Sequence, residues 1–367
     1  MAVEVLREPQ ADSSPGHPAT VSRWLRRNLF ASFGSTMLTI VMLALFAWAL
    51  PPLLSWAVTH ASLAADNRQA CPELGACWGF IRQRFPSFFY GQYPTDQRWR
   101  PDIVAVLFVL FAIPAMRERM AHRWAWVILF VGLFPVIAGT LLLGGVFGLP
   151  YVDTNLWGGL MINVILAFVA VAGSLPLGIL LALGRRSELP VVRWFSIAFI
   201  ELWRGVPLLT VLFMAMVMMP LFLPEGATID RLIRAMIGLT LFTSAYMAEV
   251  VRGGLQGVPN GQAEAAASLG LGWWKIQGLI VLPQALRLVV PAIVNTVIDL
   301  FKDTTLVSIV GLFDLLNVIN QGLKDPAWLG LAKEGYAFAA AVFFVCCFAM
   351  SLYSRRLEAR LGVARRR

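Results

Sequence analysis

Charge is scarce in this chain. Asp, Glu, Lys and Arg make up 14% of its 367 residues and hydrophobic side chains 58%, whereas a soluble domain carries about 25% charged residues. That shortage excludes a soluble enzyme and a nucleic-acid-binding module, because the long charge-free runs it leaves cannot be buried in a soluble core of this size. Histidine is nearly absent. His17, His60 and His122 are scattered and lack the spacing of metal ligands, so no metal site is expected. Four cysteines are too few for a secreted disulfide framework. No Gly-x-x-x-x-Gly-Lys-[Ser/Thr] phosphate loop occurs, so ATP hydrolysis by that route is not expected. No Ser/His/Asp set or carboxylate pair marks a catalytic centre, and no catalytic residue is assigned.

What is present is apolar surface in lengths that fit a bilayer, including 24 Phe and 13 Trp. A crossing helix needs about 20 mostly apolar residues. On that measure the sequence predicts an all-α polytopic membrane protein with about eight transmembrane helices, near 29–58, 102–117, 124–149, 157–183, 195–223, 232–251, 283–301 and 337–353. The apolar stretch 304–313 is too brief to span. The first run is too long for a signal-peptide core and has no convincing cleavage site, so it is expected to remain as an anchor.

The net charge of +9 is read as topology, since Lys and Arg collect on the cytoplasmic side of a membrane protein. Eight crossings put both termini on one side, and the Arg-rich ends make that side cytoplasmic. The outer loop 59–101 fits this less well, with five Arg against three acids. The chain then divides into a basic tail (1–28), three N-terminal helices with the outer loop (29–150), a core (151–354) with a cytoplasmic insertion at 252–281, and a second basic tail (355–367). Only the core carries charges within its apolar runs.

The insertion holds the most information. It reads Glu249-Val-Val-Arg252-Gly253-Gly254, then Pro259-Asn-Gly261-Gln262-Ala-Glu264-Ala265-Ala266-Ala-Ser-Leu269-Gly270, and on to Ile280-Val-Leu282-Pro283. Pro259 suits the first turn of a helix. Gln262–Leu269 is an Ala-rich helix, and Gly270 fits the position after it, where a positive φ is wanted. Leu271–Ile280 is expected as a second helix leading into Pro283. On patterning alone this is either an amphipathic loop helix or a docking element.

The same run resembles the EAA loop of ATP-binding cassette (ABC) importer permeases: Glu264-Ala265-Ala266, Gly270, Ile280 and Leu282-Pro283 meet every position of that pattern. The flanks Arg204-Gly205-Val206-Pro207, Glu249-Val-Val-Arg252-Gly253-Gly254 and Lys302-Asp303-Thr304-Thr305 resemble the polar-amino-acid branch. Val206 replaces the Thr commonly found there. The resemblance covers about 155–355, and the three extra N-terminal helices make the whole chain similar to the larger, M-type permeases of general L-amino-acid importers. It implies a five-helix MetI-like core on the C-terminal side and an inner-membrane location. Coupling would run through Gly261, Glu264, Ala265, Ala266, Leu269, Gly270, Ile280 and Pro283. The implied partners are a homologous permease, a cytoplasmic ABC ATPase dimer that holds the ATP and Mg, and a periplasmic amino-acid-binding protein. This chain itself would carry no cofactor. An ion-gradient-driven secondary transporter is the alternative.

Charges at membrane depth are expensive and face a partner or a cavity. Glu201 and Arg204, three apart on one helix face, are read either as an intrahelical pair or as part of a gate. Asp299, Lys302 and Asp303, with Thr304 and Thr305, supply acceptors and a donor for a zwitterionic amino acid at a helix break; the other reading is a helix-terminal salt-bridge network. Asn163, Thr240, Thr243, Ser244 and Asn295 either line the same path or join helices. Cys71 and Cys77 are disulfide candidates if their loop faces an oxidising compartment, and free thiols otherwise. Cys346 and Cys347 are packing residues.

Overall fold

The structure, a computed structural model, describes residues 21–117, 120 and 122–361. Residues 1–20 and 362–367 of the two basic tails, with Glu118, Arg119 and Ala121 of the loop after the second expected crossing, lie outside the described residues. The described residues form helices joined by turns, with three isolated bridges and no strand. In chain order the main helices are α1 (Phe33–Thr59), α2 (Gly79–Tyr90), α3 (Thr95–Met116), α4 (Ala125–Leu143) and α5 (Gly159–Arg185). Then come α6 (Pro190–Gly205), α7 (Leu208–Phe222), α8 (Arg231–Gln256), α9 (Asn260–Ser268), α10 (Trp273–Ser308), α11 (Leu315–Gly322) and α12 (Ala332–Leu361).

Six of these, α1, α3, α4, α5, α10 and α12, are long and apolar enough to cross a membrane, and a bent pair brings the number to at most seven. The eight expected crossings depart from straight apolar rods at two places. The run 195–223 is broken into α6 and α7, which meet at 105°. Val206 is extended, at φ −107° and ψ 135°, because the ring of a following proline drives its neighbour out of helical space. Pro207 then precedes the first turn of α7. The second place is 232–251, which lies inside α8 but carries Arg231, Arg234, Glu249 and Arg252. α8 is wrapped by α5, α6 and α10, and a helix sheathed by protein does not need the apolar coat that lipid demands.

The separate helix expected over 271–280 is also corrected. α10 starts at Trp273 and runs through Pro283 without interruption. A wide turn at Ile276–Val281, where the Leu282 N–H donates to Gln277 O five residues back, precedes the proline. Widening of this kind accommodates a ring that has no N–H to donate. At the far end Thr304–Ser308 continues the rod as a tight turn.

α5 crosses α8 at very close range. A Cβ on Gly178 would lie 2.6 Å from Met247 Cβ and 2.9 Å from the Ala248 backbone nitrogen. Small residues permit such approach between helices in lipid, where packing replaces the hydrophobic drive. Three buried clusters follow the length of α5. Leu166, Ala170, Leu212, Leu239 and Val307 form the middle. Phe80, Phe88, Leu315, Ile319 and Trp328 form one end, and Ala182, Ile200, Val251, Leu255, Ala266 and Ile276 the other. With 27 residues, α5 is about 40 Å long, so the two end clusters lie on opposite sides of a bilayer of about 30 Å.

The polar stretch 59–101 is a folded cap on the first of those ends. Ala76 and Trp78 donate to the carbonyls of Trp56 and Ala57 at the end of α1, both at 2.8 Å. Arg84 pairs with Asp325, and the Cys77 N–H donates to the buried carboxylate of Glu334 at the start of α12 (3.3 Å). α3 and α4 join the core through Phe108, Phe130 and Phe134, which surround Phe168 of α5 with ring centroids 5.0–5.7 Å away.

Candidate functional site

The end of the bundle opposite the cap presents α9. Pro259 stands just before this helix rather than in its first turn. The helix is held on one face only. Ala266 is 3% exposed and packs with Leu255, Val258 and Ile276, with Ala263 half-buried beside it. Gly261, Glu264, Ala265, Ser268 and Leu269 stand on the exposed face, and Leu269 is 82% exposed. A Cβ on Gly261 would meet nothing within 4 Å. Trp274, at the start of α10, is 75% exposed and Leu279 71%. These side chains make an exposed apolar tip at this end of the bundle. The two Trp-Trp residues 273 and 274 were not singled out in the sequence, although paired aromatics in an otherwise polar loop are a readable signal.

Gly270 ends the helix by backbone geometry. Its φ is +76°, its N–H donates to Ala267 O (2.9 Å), and the next N–H, of Leu271, reaches back to Ala266 O (3.3 Å). This pair of bonds satisfies the last carbonyls of α9 in a Schellman turn. The turn directs Leu271 into the cluster that holds Ala266. Ile280 is in the same cluster, and Pro283 is half-buried just beyond it. α9 and the start of α10 therefore share one buried cluster.

Beside α9 a charge clamp ties the helix ends on the side opposite the cap. Glu249 of α8, 17% exposed, meets Arg252 (2.7 Å), Arg185 at the end of α5 (3.0 Å) and Arg204 of α6 (3.8 Å). The Arg185 guanidinium also bonds Glu201 (3.1 Å), and Arg204 lies over the Tyr246 ring at 5.8 Å. Glu201 and Arg204 thus reach to other helices rather than to each other. The intrahelical pairing allowed by their spacing is displaced because Arg185, placed between Glu201 and Glu249, answers two carboxylates at once. Arg185 had no sequence signal beyond its place at a helix end.

At the cap end of α10 the predicted cluster separates. Lys302 pairs with Asp299 (2.8 Å), both more than half exposed, and Asp303 is half-buried. Thr305 donates to its own helix at Lys302 O (2.8 Å). Thr304 is turned inward and fully buried. Its hydroxyl accepts from the Asn163 amide (2.9 Å) and donates to Phe301 O (2.7 Å), while Asn163 Oδ1 accepts from Leu315 N–H (3.0 Å). Thr240 and Ser244 likewise donate to carbonyls of their own helix. Asp314, not singled out in the sequence, is fully buried beneath this node and caps α11 by accepting from Leu316 and Asn317 N–H. Burial pushes its carboxyl up to about 6, against the pull of those N–H donors and of Asn163.

In the cap, Cys71 and Cys77 are joined in a disulfide, with Cα atoms 5.4 Å apart. No group of His, Cys, Asp and Glu among the described residues is arranged to hold a metal ion.

Comparison with known proteins accounts for this arrangement. Residues 174–363 match the family described as "Binding-protein-dependent transport system inner membrane component". The chain is 51% identical to the inner membrane amino-acid ABC transporter permease protein YhdY of Escherichia coli strain K12, over 96% of this chain and 98% of that one. It is 37% identical to the glutamate/glutamine/aspartate/asparagine transport system permease protein BztC of Rhodobacter capsulatus, over 94% of this chain and 95% of that one. Among solved structures, one described as an amino acid ABC transporter with histidines matches at 30% identity and a TM-score of 0.48, over 55% of this chain and 92% of that one. The chain belongs to the family of binding-protein-dependent transport system inner membrane components.

Proposed function

We propose that this chain is the permease subunit of an ABC importer that moves L-amino acids across the bacterial inner membrane. One observation carries the reading. The near-full-length match is to an amino-acid ABC transporter permease, and the EAA pattern stands on an exposed helix tied to a membrane rod. Energy comes from a separate ATPase dimer that binds ATP and Mg, and α9 seats in a groove on one of its subunits. A dimer has two grooves and this chain one such helix, so a homologous permease fills the second. A periplasmic amino-acid-binding protein delivers substrate at the capped end.

The orientation follows from the helices. α1 ends at the cap and α12 begins there, so Phe33 and Leu361 lie toward the side of α9. Both termini are then cytoplasmic, and the disulfide faces the oxidising periplasm. Movement of α9 passes along α10, whose 36 residues make about 54 Å of helix, to the Thr304–Asn163 node at the other end. The clamp of Glu201, Arg204 and Glu249 restrains the inner ends of α5, α6 and α8 and opens as they part. Asp299 and Lys302, exposed on α10, face the second permease, and the amino acid passes between the two subunits beside them and Asp303, Thr304 and Thr305.

The test is purification of the tagged chain from native membranes, identification of its companions, and uptake of labelled amino acids after reconstitution. Recovery of a second permease and an ATPase, with uptake that needs ATP and a binding protein, is expected. A chain recovered alone that transports on an ion gradient without ATP overturns the reading.

A further inference from the structure

A large cavity lies away from α9, where the N-terminal helices meet the core. It measures about 820 Å³ and is open to the side. Its walls are apolar: Phe108, Phe134, Ala138, Gly139, Val164 and Phe168. Its polar groups gather at one end, in Tyr90, Asp102, Thr154, Trp157 and Asp230. Asp102 is in the first turn of α3, Thr154 stands before α5, and Asp230 caps the start of α8. That end is therefore level with the cap, and the apolar walls run from it into the membrane.

Two features describe an occupant. The lining holds two carboxylates and no Lys or Arg. Tyr90 donates to Asp102 (2.6 Å) and Thr154 to Asp230. The cavity thus offers anionic acceptors at interface depth, above a slot for hydrocarbon. Tyr90, Tyr151 and Trp157 also mark the depth where aromatic side chains collect at headgroups.

We propose that this cavity is a binding site for one outer-leaflet phospholipid with an amine headgroup. An acyl chain lies between Phe108, Phe134 and Phe168, and the ammonium group rests at Asp102 and Asp230. The lipid completes the seam between the N-terminal helices and the permease core. The reading is independent of what the protein transports, and only the choice of leaflet rests on the orientation proposed above.

The test uses the intact complex in nanodiscs containing phosphatidylethanolamine and phosphatidylglycerol, followed by detergent extraction and mass spectrometry of retained lipid. Retained phosphatidylethanolamine should exceed phosphatidylglycerol by about tenfold, the value of one good charge-assisted bond. Gly139→Phe should abolish retention. A Cβ at Gly139 meets nothing within 4 Å, so the ring enters the cavity, and replacing Gly inside a helix favours folding. Val164→Trp fills the same space from α5 and serves if the first variant is not recovered. Asp102→Asn with Asp230→Asn should keep a bound lipid and lose the headgroup preference. Equal retention by the filled variants, a preference for phosphatidylglycerol, or a helix of a second permease cross-linked into the cavity would each overturn the proposal.

Discussion

Replacing Gly270 isolates the turn on which the proposed coupling depends. A Cβ there meets nothing within 4 Å, so no steric clash is introduced and the whole effect comes from the backbone. At φ +76° an L-residue costs about 1–2 kcal/mol relative to glycine, with Asn the best tolerated. Against a total stability of about 5–15 kcal/mol the bundle survives. The local equilibrium is more sensitive, because 1–2 kcal/mol shifts the population of the closed turn by a factor of about 5–30. The expected order of binding-protein-stimulated ATPase activity in the reconstituted complex is therefore Gly, then Asn, then Ala, with Asp lowest because it adds a charge to an apolar docking tip. Basal ATPase activity and the amount of assembled complex should change little. If Gly270→Ala and Gly270→Asp both couple as well as the unaltered protein, the Schellman turn does not transmit motion and the role assigned to α9 is wrong.

Asp314 should make stability depend on pH. Burial raises its folded value to about 6, above the ordinary carboxylate range near 3.9, so its contribution is full below about pH 4 and is lost as pH rises through 6. Asp314→Asn keeps the cap, and the difference in unfolding free energy between variant and parent should move in favour of Asn from pH 4 to 7, by about 3 kcal/mol in all; a constant difference refutes this. Gly178→Leu forces α5 off α8 and should cost at least 3 kcal/mol, read as loss of folded protein on size-exclusion chromatography; a normal yield would mean the helices part easily. Cys71→Ser with Cys77→Ser removes a short cross-link worth about 2 kcal/mol. It should raise proteolysis within 60–93 while leaving the core intact, and unchanged cleavage would show that packing on Phe80 and Trp328 holds the cap unaided.

Spans, the coupling motif and the positive φ at Gly270 were legible in the sequence because each depends on neighbours in the chain. In lipid every backbone polar group must be satisfied within its own helix, so long apolar runs announce themselves. The left-handed turn after an Ala-rich helix selects glycine for a local steric reason. The break at Pro207 obeys an equally local rule, and its consequence for the 195–223 run could have been drawn from the sequence. Other features depend on residues that meet only in three dimensions. Glu249 gathers arginines from three helices, and spacing along α6 alone pointed Glu201 and Arg204 at each other. α8 carries Arg231, Arg234, Glu249 and Arg252 because its covering is supplied by α5, α6 and α10. Asp314 and Asn163 look like ordinary polar residues until burial makes them a node, and the carboxylate that receives the Cys77 N–H comes from Glu334 at the other end of the chain. The sequence by itself determined the membrane class, the short Ala-rich helix and its turn. The tertiary structure alone decided which charges pair, where the cap rests and where a cavity remains, since these depend on distances between segments that no local pattern encodes.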